Sequence, residues 1–256
     1  LTRLATSSQG TYFVLKGGVL MAAFAARRPT RDVDLRASGF PNDIAECERR
    51  IRQISAIQLD DGLVFDTSAV RGEPIREESD YTGVRVHLEA DLASARISIH
   101  VDINFGDPIW PAPVPTPLPR LLGGFVEVLG YPDHMVLAEK IVTAVQRGVA
   151  NTRWRDFVDI DSIVGRRVIS EGDLSRALAT VADHGQANLR PLAEVLAGMS
   201  EVAQPKWLAW RRRQRLGDTT PERFQELIER CVIFADPVLT GDARGLNWEP
   251  GTGSWS

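Results

Sequence analysis

The alternation of apolar and polar residues predicts that the first half of the chain builds a β-sheet. Two segments alternate strictly, 83–92 (GVRVHLEADL) and 96–104 (RISIHVDIN), and three residues separate them. A period of two is typical of strands with one buried face, and the short connection predicts antiparallel neighbours. Less regular segments of strand-like composition are 11–15, 32–36, 63–70 and 125–129.

Helical periodicity is limited in the first half and dominates after residue 132. Apolar residues on one side of 42–56 predict a helix there, and the Ala- and Leu-rich segment 19–26 predicts another that ends near Pro29. Further helices are predicted over 135–147, 153–164, 171–183, 187–199, 205–216 and 221–235. Thr220 is the predicted cap of the last of these, with Pro221 in its first turn.

A proline-rich segment separates these two halves. Residues 108–119 contain six prolines in twelve positions, which predicts a stiff, extended connection and no regular element. We therefore expect an α+β protein, with a mixed sheet flanked by helices in 1–120 and an all-helical domain in 121–256. The final residues after Pro250, GTGSWS, read as a tail.

Composition excludes few classes of function. The 256 residues are 43% apolar and 25% charged, with a formal net charge of −4, so no overall basic charge points to nucleic acid. Cys47 and Cys231 form no motif and are interpreted as reduced packing residues. No apolar run approaches the ~20 residues that span a bilayer, and the first residues do not resemble a signal peptide. We expect a cytoplasmic protein without a membrane partner.

The first candidate for chemistry is the segment 13–35, FVLKGGVLMAAFAARRPTRDVDL. A strand that ends at Gly17-Gly18 and leads into a helix exposes backbone N–H groups to which phosphate could bind, although such a pair is often a simple turn. Asp32 and Asp34 then lie on one face of the next predicted strand, spaced to ligate one Mg²⁺ or to bracket two. The competing interpretation is a solvated strand edge.

A metal-dependent transfer of a nucleotide requires this combination of a phosphate site and paired acids, and it predicts a third carboxylate nearby. Asp102 is the best candidate, because it shares the polar face of its strand with Ser98, His100 and Asn104. A polar residue on an exposed sheet face is the alternative. Asp107, in Phe-Gly-Asp-Pro, is interpreted as a turn former.

The order Lys-Gly-Gly, then Thr-Arg-Asp-Val-Asp-Leu, resembles the nucleotidyltransferase signature of the DNA polymerase β superfamily. Three later blocks, DINFGDP, AEKIVTAVQRG and RWRDFVDI, resemble the AbiEii/AbiGii toxin family more narrowly. That family supplies toxins of type IV toxin–antitoxin and abortive-infection systems, and the MenT toxins belong to it. The resemblance covers 13 to about 164 and implies a nucleotidyltransferase fold for the first domain.

The resemblance also implies further site residues. It assigns nucleotide binding to Lys140, which shares a predicted helix face with Arg147, and we expect both to face a cleft between the domains. It places an aspartate of the next block in the active site, for which we favour Asp156 over Asp159. Ion pairs of these acids with Arg153 or Arg155 are the alternative.

Thr30, two residues before Asp32, is a candidate residue of the nucleotide site, with its hydroxyl beside the metal. The resemblance also implies that an antitoxin modifies this position, where some family members carry a serine; a turn or cap residue after Pro29 is the alternative role. Two basic clusters are candidate RNA contacts. One joins Arg211, Arg212, Arg213 and Arg215 with Trp207 and Trp210, and the other comprises Arg27, Arg28 and Arg31. Solvated surface arginines are the competing interpretation.

The expected function is a Mg²⁺- or Mn²⁺-dependent nucleotidyltransferase. In this hypothesis Gly17, Gly18 and Lys140 bind the NTP, Asp32, Asp34 and Asp102 hold the metal, and Asp102 also helps to activate the attacking hydroxyl. The resemblance implies that the acceptor is the 3′ end of tRNA, that translation is inhibited, and that a cognate antitoxin exists. The alternatives are a non-catalytic module that binds RNA or protein, and a metal-dependent phosphodiesterase.

Overall fold

The computed structural model describes residues 1–24, 30, 32–77, 80–121 and 123–256. The chain divides into two compact units. The first comprises Leu1–Ala23, the described part of Arg27–Asp107, and Ala112–Tyr131; the second comprises Phe24, Pro108–Pro111 and Pro132–Ser256. Within the described ranges, no helix has the length and apolar character needed to cross a membrane.

A mixed β-sheet is the framework of the first unit. Its strands are β1 (Phe13–Lys16), β2 (Asp32–Ala37), β3 (Leu63–Phe65), β4 (Arg71–Glu77), β5 (Asp80–Leu92), β6 (Ala95–Phe105), β7 (Val114–Pro119) and β8 (Phe125–Gly130). Its helices are α1 (Thr2–Thr6), α2 (Gly17–Leu20) and α3 (Ile44–Ser55). The described strands are ordered β3-β5-β6-β2-β1-β8-β7, and β4 also pairs with β5.

The long hairpin of β5 and β6 confirms the antiparallel pair predicted from the strict alternation. Val84 and Val86 of β5 and Val101 and Ile103 of β6 are buried, as the apolar half of the pattern requires. α3 packs against β4 and β5 and begins where Asp43 caps it by accepting a hydrogen bond from the Glu46 N–H at 2.9 Å. The polar half of each strand therefore lies on the opposite face of the sheet.

Two strand predictions in this unit were wrong. Residues 63–70 form a strand only at Leu63–Phe65, and the next strand, β4, begins at Arg71. The proline-rich connection contains β7, which pairs antiparallel with β8. Pro115, Pro117 and Pro119 alternate along this outermost strand, so their missing N–H groups fall on the side away from β8, where no ladder bond is needed.

The segment predicted as one helix over 19–26 begins as α2 and continues as a 3₁₀ turn over Met21–Phe24. The remainder of that prediction, and Pro29, lie outside the described residues. β1 begins at Phe13, because the residues before it, Gly10–Tyr12, form another 3₁₀ turn.

The second unit is mainly helical. Its helices are α4 (Asp133–Arg147), α5 (Trp154–Val164), α6 (Glu171–His184), α7 (Leu192–Val195), α8 (Met199–Gln214) and α9 (Phe224–Thr240). Phe157, Trp207, Phe224 and Phe234 are fully buried and form the aromatic core of this unit. Together, the two units confirm the predicted α+β class, with a mixed sheet flanked by helices and a helical C-terminal region.

Helix boundaries in the second unit depart from the predictions. The segment 187–199 is helical only over Leu192–Val195, while α8 begins at Met199 and contains Pro205. α9 begins at Phe224 after Arg223, so Thr220 is not its cap. The Thr220 hydroxyl instead donates to the Leu216 carbonyl at 2.7 Å.

The predicted tail is part of a small sheet. Strands β9 (Ile169–Ser170), β10 (Asn247–Glu249) and β11 (Ser254–Trp255) pair in the order β11-β10-β9. The Trp255 indole stacks on Phe234 with ring centroids 5.4 Å apart, and its N–H donates to the Phe234 carbonyl at 2.9 Å. The tail interpretation was wrong because two tryptophans in a glycine-rich segment supply apolar area that a flexible end would leave exposed.

Candidate active site

The turn between β1 and α2 is packed against a carboxylate. Gly17 has φ +65°, a conformation that favours glycine, and a Cβ atom built at this position would lie 1.9 Å from Asp34 Oδ2. The Gly18 N–H donates to the same oxygen across 3.4 Å, near the long limit of a hydrogen bond. The glycine pair therefore has a specific role in this chain, which is to let the Asp34 side chain approach the backbone.

The sheet register brings the three predicted acids together. Asp32 and Asp34 share one face of β2, and β6 runs parallel beside it with Asp102 opposite Asp34 and His100 opposite Asp32. Burial and, next in size, the charge of Asp102 raise the pKa of Asp34, because both disfavour a second negative charge at this point. The cluster is thus an acidic site whose mutual repulsion a cation would relieve.

Arg85 is a member of this cluster that the sequence analysis missed. Its Nε and Nη2 atoms donate to the two oxygens of Asp102, each at 2.7 Å. The bidentate pair raises the pKa of Arg85 and fixes the carboxylate plane. The predicted hairpin over 83–92 and 96–104 brings Arg85 close to Asp102, but its three-residue connection does not fix the register. The observed register, in which Leu92 pairs with Ala95, places Arg85 directly opposite Asp102.

Lys16 and Asp107 form a second ion pair near the glycine turn, with Nζ and Oδ2 2.5 Å apart. Asp107 was interpreted as a turn former, and its carbonyl does accept a hydrogen bond from Arg36 Nε at 3.2 Å. Its side chain nevertheless holds Lys16, the register partner of Asp34. A positive charge is thereby kept at the end of β1, where it lowers the pKa of Asp34 in opposition to burial.

The donor set of this cluster suits a hard divalent cation, which prefers carboxylate oxygens. Among the described residues there is no group of three or more His, Cys, Asp or Glu side chains arranged as a metal site. Asp32 and Asp34 nevertheless fit a cation by chemistry and by their shared face of β2, and Asp34 lies beside Gly17. Asp102 fits less directly, because both of its oxygens accept from Arg85, although a carboxylate has about four lone-pair sites in all.

Thr30 and Gly18 lie on the wall of a cavity of about 700 Å³ in the first unit, which is otherwise lined mostly by apolar side chains. The Thr30 hydroxyl donates to the Asp32 carbonyl at 3.3 Å. Its predicted contact with a nucleotide or an antitoxin stays a prediction. Arg27, Arg28 and Arg31, the basic cluster predicted beside the acids, lie outside the described residues.

In the second unit, Lys140 of α4 is buried between two carboxylates of α5. Its Nζ atom donates to Asp156 Oδ1 at 2.9 Å and to Asp159 Oδ2 at 2.7 Å. Burial lowers the pKa of Lys140, but the two carboxylates outweigh it, so the pKa is raised and the ammonium stays charged. Arg153 also pairs with Asp156, at 3.2 Å.

Asp156 and Asp159 both contact Lys140, and the assignment of Asp156 rather than Asp159 to the active site stays a prediction. The predicted arginine pairing is present as well, but only as an addition to the lysine contacts. Arg147 lies exposed in the last turn of α4, unlike Lys140 on the same helix. Its role in nucleotide binding stays a prediction.

The Trp–Arg cluster of α8 is partly structural. Trp207 is fully buried against Phe224, and its indole N–H donates to the carbonyls of Pro221 and Glu222. Arg211 donates to the Thr220 carbonyl at 2.9 Å. The prediction that Trp207 contacts RNA was therefore wrong, because the indole fills the core. Arg212, Arg213 and Arg215 are exposed.

A family model of the "Nucleotidyl transferase AbiEii toxin, Type IV TA system" matches residues 1–230. The chain belongs to the AbiEii family. It is therefore a nucleotidyltransferase of a type IV toxin–antitoxin family, which implies an NTP substrate and a cognate antitoxin, and confirms the family predicted from the sequence motifs. Among curated protein sequences, none matches the chain.

Two solved structures from Helicobacter pylori share the fold. The crystal structure of JHP933 is 10% identical, with a TM-score of 0.50, and the match covers 94% of this chain and 87% of that one. The crystal structure of a candidate nucleotidyltransferase is 13% identical, also with a TM-score of 0.50, and the match covers 94% of this chain and 90% of that one. At these identities the likeness shows the fold alone.

Proposed function

We propose that this AbiEii protein transfers a nucleoside monophosphate from an NTP to the 3′ end of a tRNA, with the help of Mg²⁺ or Mn²⁺, and that the modified tRNA no longer supports translation. The observation that carries the proposal is the placement of Asp32, Asp34 and Asp102 on neighbouring strands beside the Gly17–Gly18 turn. Membership of the AbiEii family gives the reaction class, which is nucleotidyl transfer. The proposal adds the identity of the acceptor and of the metal.

Asp32 and Asp34 would hold the divalent cation, which would neutralise charge on the transferred phosphate and on the leaving pyrophosphate. The raised pKa of Asp34 supports this role, because the partly buried carboxylate lies beside Asp102 and is stabilised by a positive partner. The remaining ligands would be substrate oxygens and water, as is usual for Mg²⁺.

Asp102 would accept the proton of the attacking hydroxyl, and it is also the predicted third ligand. Its contact with Arg85 supports either role by fixing the orientation of the carboxylate while lone pairs remain available on both oxygens. Orientation matters here because a misplaced base forfeits most of the rate that proximity supplies.

Gly17 and Gly18 would bind the triphosphate through backbone N–H groups. The Gly18 N–H is held only loosely by Asp34, at 3.4 Å, so a phosphate oxygen could replace that contact. Lys140, Arg147 and Thr30 are the other residues proposed for nucleotide binding, and Asp156, which contacts Lys140, is proposed as an acid of the catalytic site. Lys140 is the best supported, because its carboxylate partners keep it protonated and an ammonium has three donors.

A transfer assay tests this proposal. The protein is incubated with total tRNA, Mg²⁺ and each NTP labelled at the α-phosphate, and the RNA is resolved on a denaturing gel. Label on full-length tRNA is expected from the wild type and from Asp60→Asn, an exposed control, whereas Asp34→Asn should transfer none. Shortened RNA would indicate a phosphodiesterase, and neither label nor shortening would indicate a non-catalytic binding module.

A further inference from the structure

The polar face of the sheet continues beyond the acids in two rows of side chains. One row runs from Asp32 on β2 through His100 on β6 to His87 on β5, and Arg71 on β4 lies opposite His87. The other row is Asp34, Asp102, Arg85 and Glu73 on the same four strands. Both rows lead away from the acids toward β4.

The two histidines in the first row contact each other edge to face. Their ring centroids are 4.8 Å apart at an interplanar angle of 72°. His100 Nδ1 lies 3.4 Å from Asp32 Oδ1, and His87 Nε2 lies 3.1 Å from Glu73 Oε1. The side chains of His87 and His100 keep 38% and 37% of their surface exposed, so a ligand can reach both rings.

The strand order gives these rows a direction relative to the acids. The glycine turn, where the triphosphate is proposed to bind, follows β1; the acids lie on β2 and β6; β5 and β4 lie beyond them. In nucleotidyl transfer the attacking hydroxyl and the leaving pyrophosphate are roughly in line on opposite sides of the α-phosphorus. The acceptor would therefore approach over β5 and β4.

We propose that Arg71, Arg85, His87 and His100 form an acceptor-strand surface, which binds the last nucleotides of a single-stranded RNA 3′ end. This inference rests on the proposed function, because it deepens that function by naming the side of the site where the RNA lies. The occupant is a polynucleotide end because the surface joins cations that suit phosphodiesters with rings on which bases stack.

The chemistry of each side chain fits this ligand. The Arg85–Asp102 pair uses Nε and Nη2, which leaves Nη1 outside the pair and able to donate to a phosphate. Arg71 is exposed beside His87. The imidazoles can stack on unpaired bases, which is the usual way in which proteins hold single-stranded RNA. Glu73 Oε1 lies 3.1 Å from His87 Nε2, beside the ring.

Binding of a defined RNA without catalysis tests the surface separately from the transfer reaction. The probe is a single-stranded RNA 12-mer with a 5′-fluorescein label and a free 3′ hydroxyl, measured by fluorescence anisotropy in EDTA. His87→Ala and Arg71→Ala should each weaken binding about five- to tenfold, as loss of a stacking or phosphate contact does. Arg71→Ala should also reduce the slope of log Kd against log salt by about 0.7.

Arg96→Ala is the matched control. Arg96 is an exposed arginine on the same face of β6 as His100, four residues before it in the chain, and it pairs with Glu89. It should leave RNA binding within twofold of the wild type, and the melting temperature of each variant checks its folding. Unchanged binding by His87→Ala and Arg71→Ala, or an equal loss in Arg96→Ala, would overturn the inference. If the RNA-binding differences are observed but the wild-type protein transfers no nucleotide to RNA, the proposed function is refuted and the acceptor-strand surface is not.

Discussion

At the scale of single residues, the site depends on the close packing of Gly17 against Asp34. Because Gly17 has no side chain, the turn leaves space for the Asp34 carboxylate. The β2 register places that carboxylate where a Cβ atom at position 17 would otherwise lie. Positive φ and direct contact with an acid coincide at this position. A glycine with both a positive φ and a carboxylate packed against its Cα should tolerate substitution less well than a glycine with a positive φ alone.

Gly17→Ala should both destabilise the fold and abolish nucleotide transfer. The added Cβ would lie 1.9 Å from Asp34 Oδ2, so the carboxylate has to move, and the positive φ adds about 1–2 kcal/mol of strain. Gly106→Ala is the control, because Gly106 has φ +83° but no atom within 4 Å of its added Cβ. Urea unfolding and the transfer assay should show a loss of stability in both variants but a loss of activity only in Gly17→Ala. Full activity in Gly17→Ala would contradict the packing argument.

Lys140→Met should lower the free energy of unfolding by about 3–5 kcal/mol at neutral pH, because it leaves Asp156 and Asp159 buried without their shared cation. Arg167→Met, which breaks the half-exposed pair with Asp133, should cost at most about 1 kcal/mol. Urea unfolding measures both changes.

The pKa of Lys140 is raised in the folded state. The charged lysine therefore contributes its full stabilisation at any pH below the pKa of an ordinary lysine, and this stabilisation is lost as the pH rises through the raised pKa. The stability difference between the wild type and Lys140→Met should therefore be constant near neutrality and shrink in strong alkali. A difference that grows in alkali would contradict this assignment.

At the scale of elements, the sequence predicted the long regular strands and failed at the short or unusual ones. The β5–β6 hairpin and α3 follow from periodicity alone, because each has one mainly apolar face. β7 could not be read in this way, because its three prolines are compatible with a strand only at the edge of a sheet, and edge position is a property of the whole topology. β10 and β11 could not be predicted either, because strands of three and two residues are too short to show an alternation of apolar and polar positions.

Trp255→Ala tests whether the C-terminal strands stabilise the second unit. The indole stacks on Phe234, contacts Trp248 with centroids 5.7 Å apart, and donates one hydrogen bond, so its removal should cost about 2–3 kcal/mol. Val202→Ala, at a side chain that is 78% exposed, should stay within about 0.5 kcal/mol of the wild type. Thermal unfolding followed by tryptophan fluorescence and circular dichroism compares them, and equal stability of both variants would restore the interpretation as a tail.

At the scale of the whole molecule, the motifs predicted the family, and the family model that spans residues 1–230 confirmed it. The cluster of Asp32, Asp34 and Asp102 could be predicted because strand alternation fixes which side chains share a face. Of the basic residues near those acids, only Arg85 lies on the predicted hairpin. Lys16, the register partner of Asp34, could not be assigned, because its ion pair with Asp107 depends on distant segments meeting. The double pairing of Lys140 was hidden for the same reason, since spacing along α5 allowed either acid.

The proposed reaction depends above all on a divalent cation held by Asp32 and Asp34. The most direct test is uptake of Mn²⁺, measured from the loss of the free-ion EPR signal as protein is added in the presence of a non-hydrolysable NTP analogue. The wild type and Asp60→Asn should take up Mn²⁺ stoichiometrically, and the double variant Asp32→Asn/Asp34→Asn should take up none at the same concentrations. Equal uptake by the double variant and the wild type would contradict this expectation.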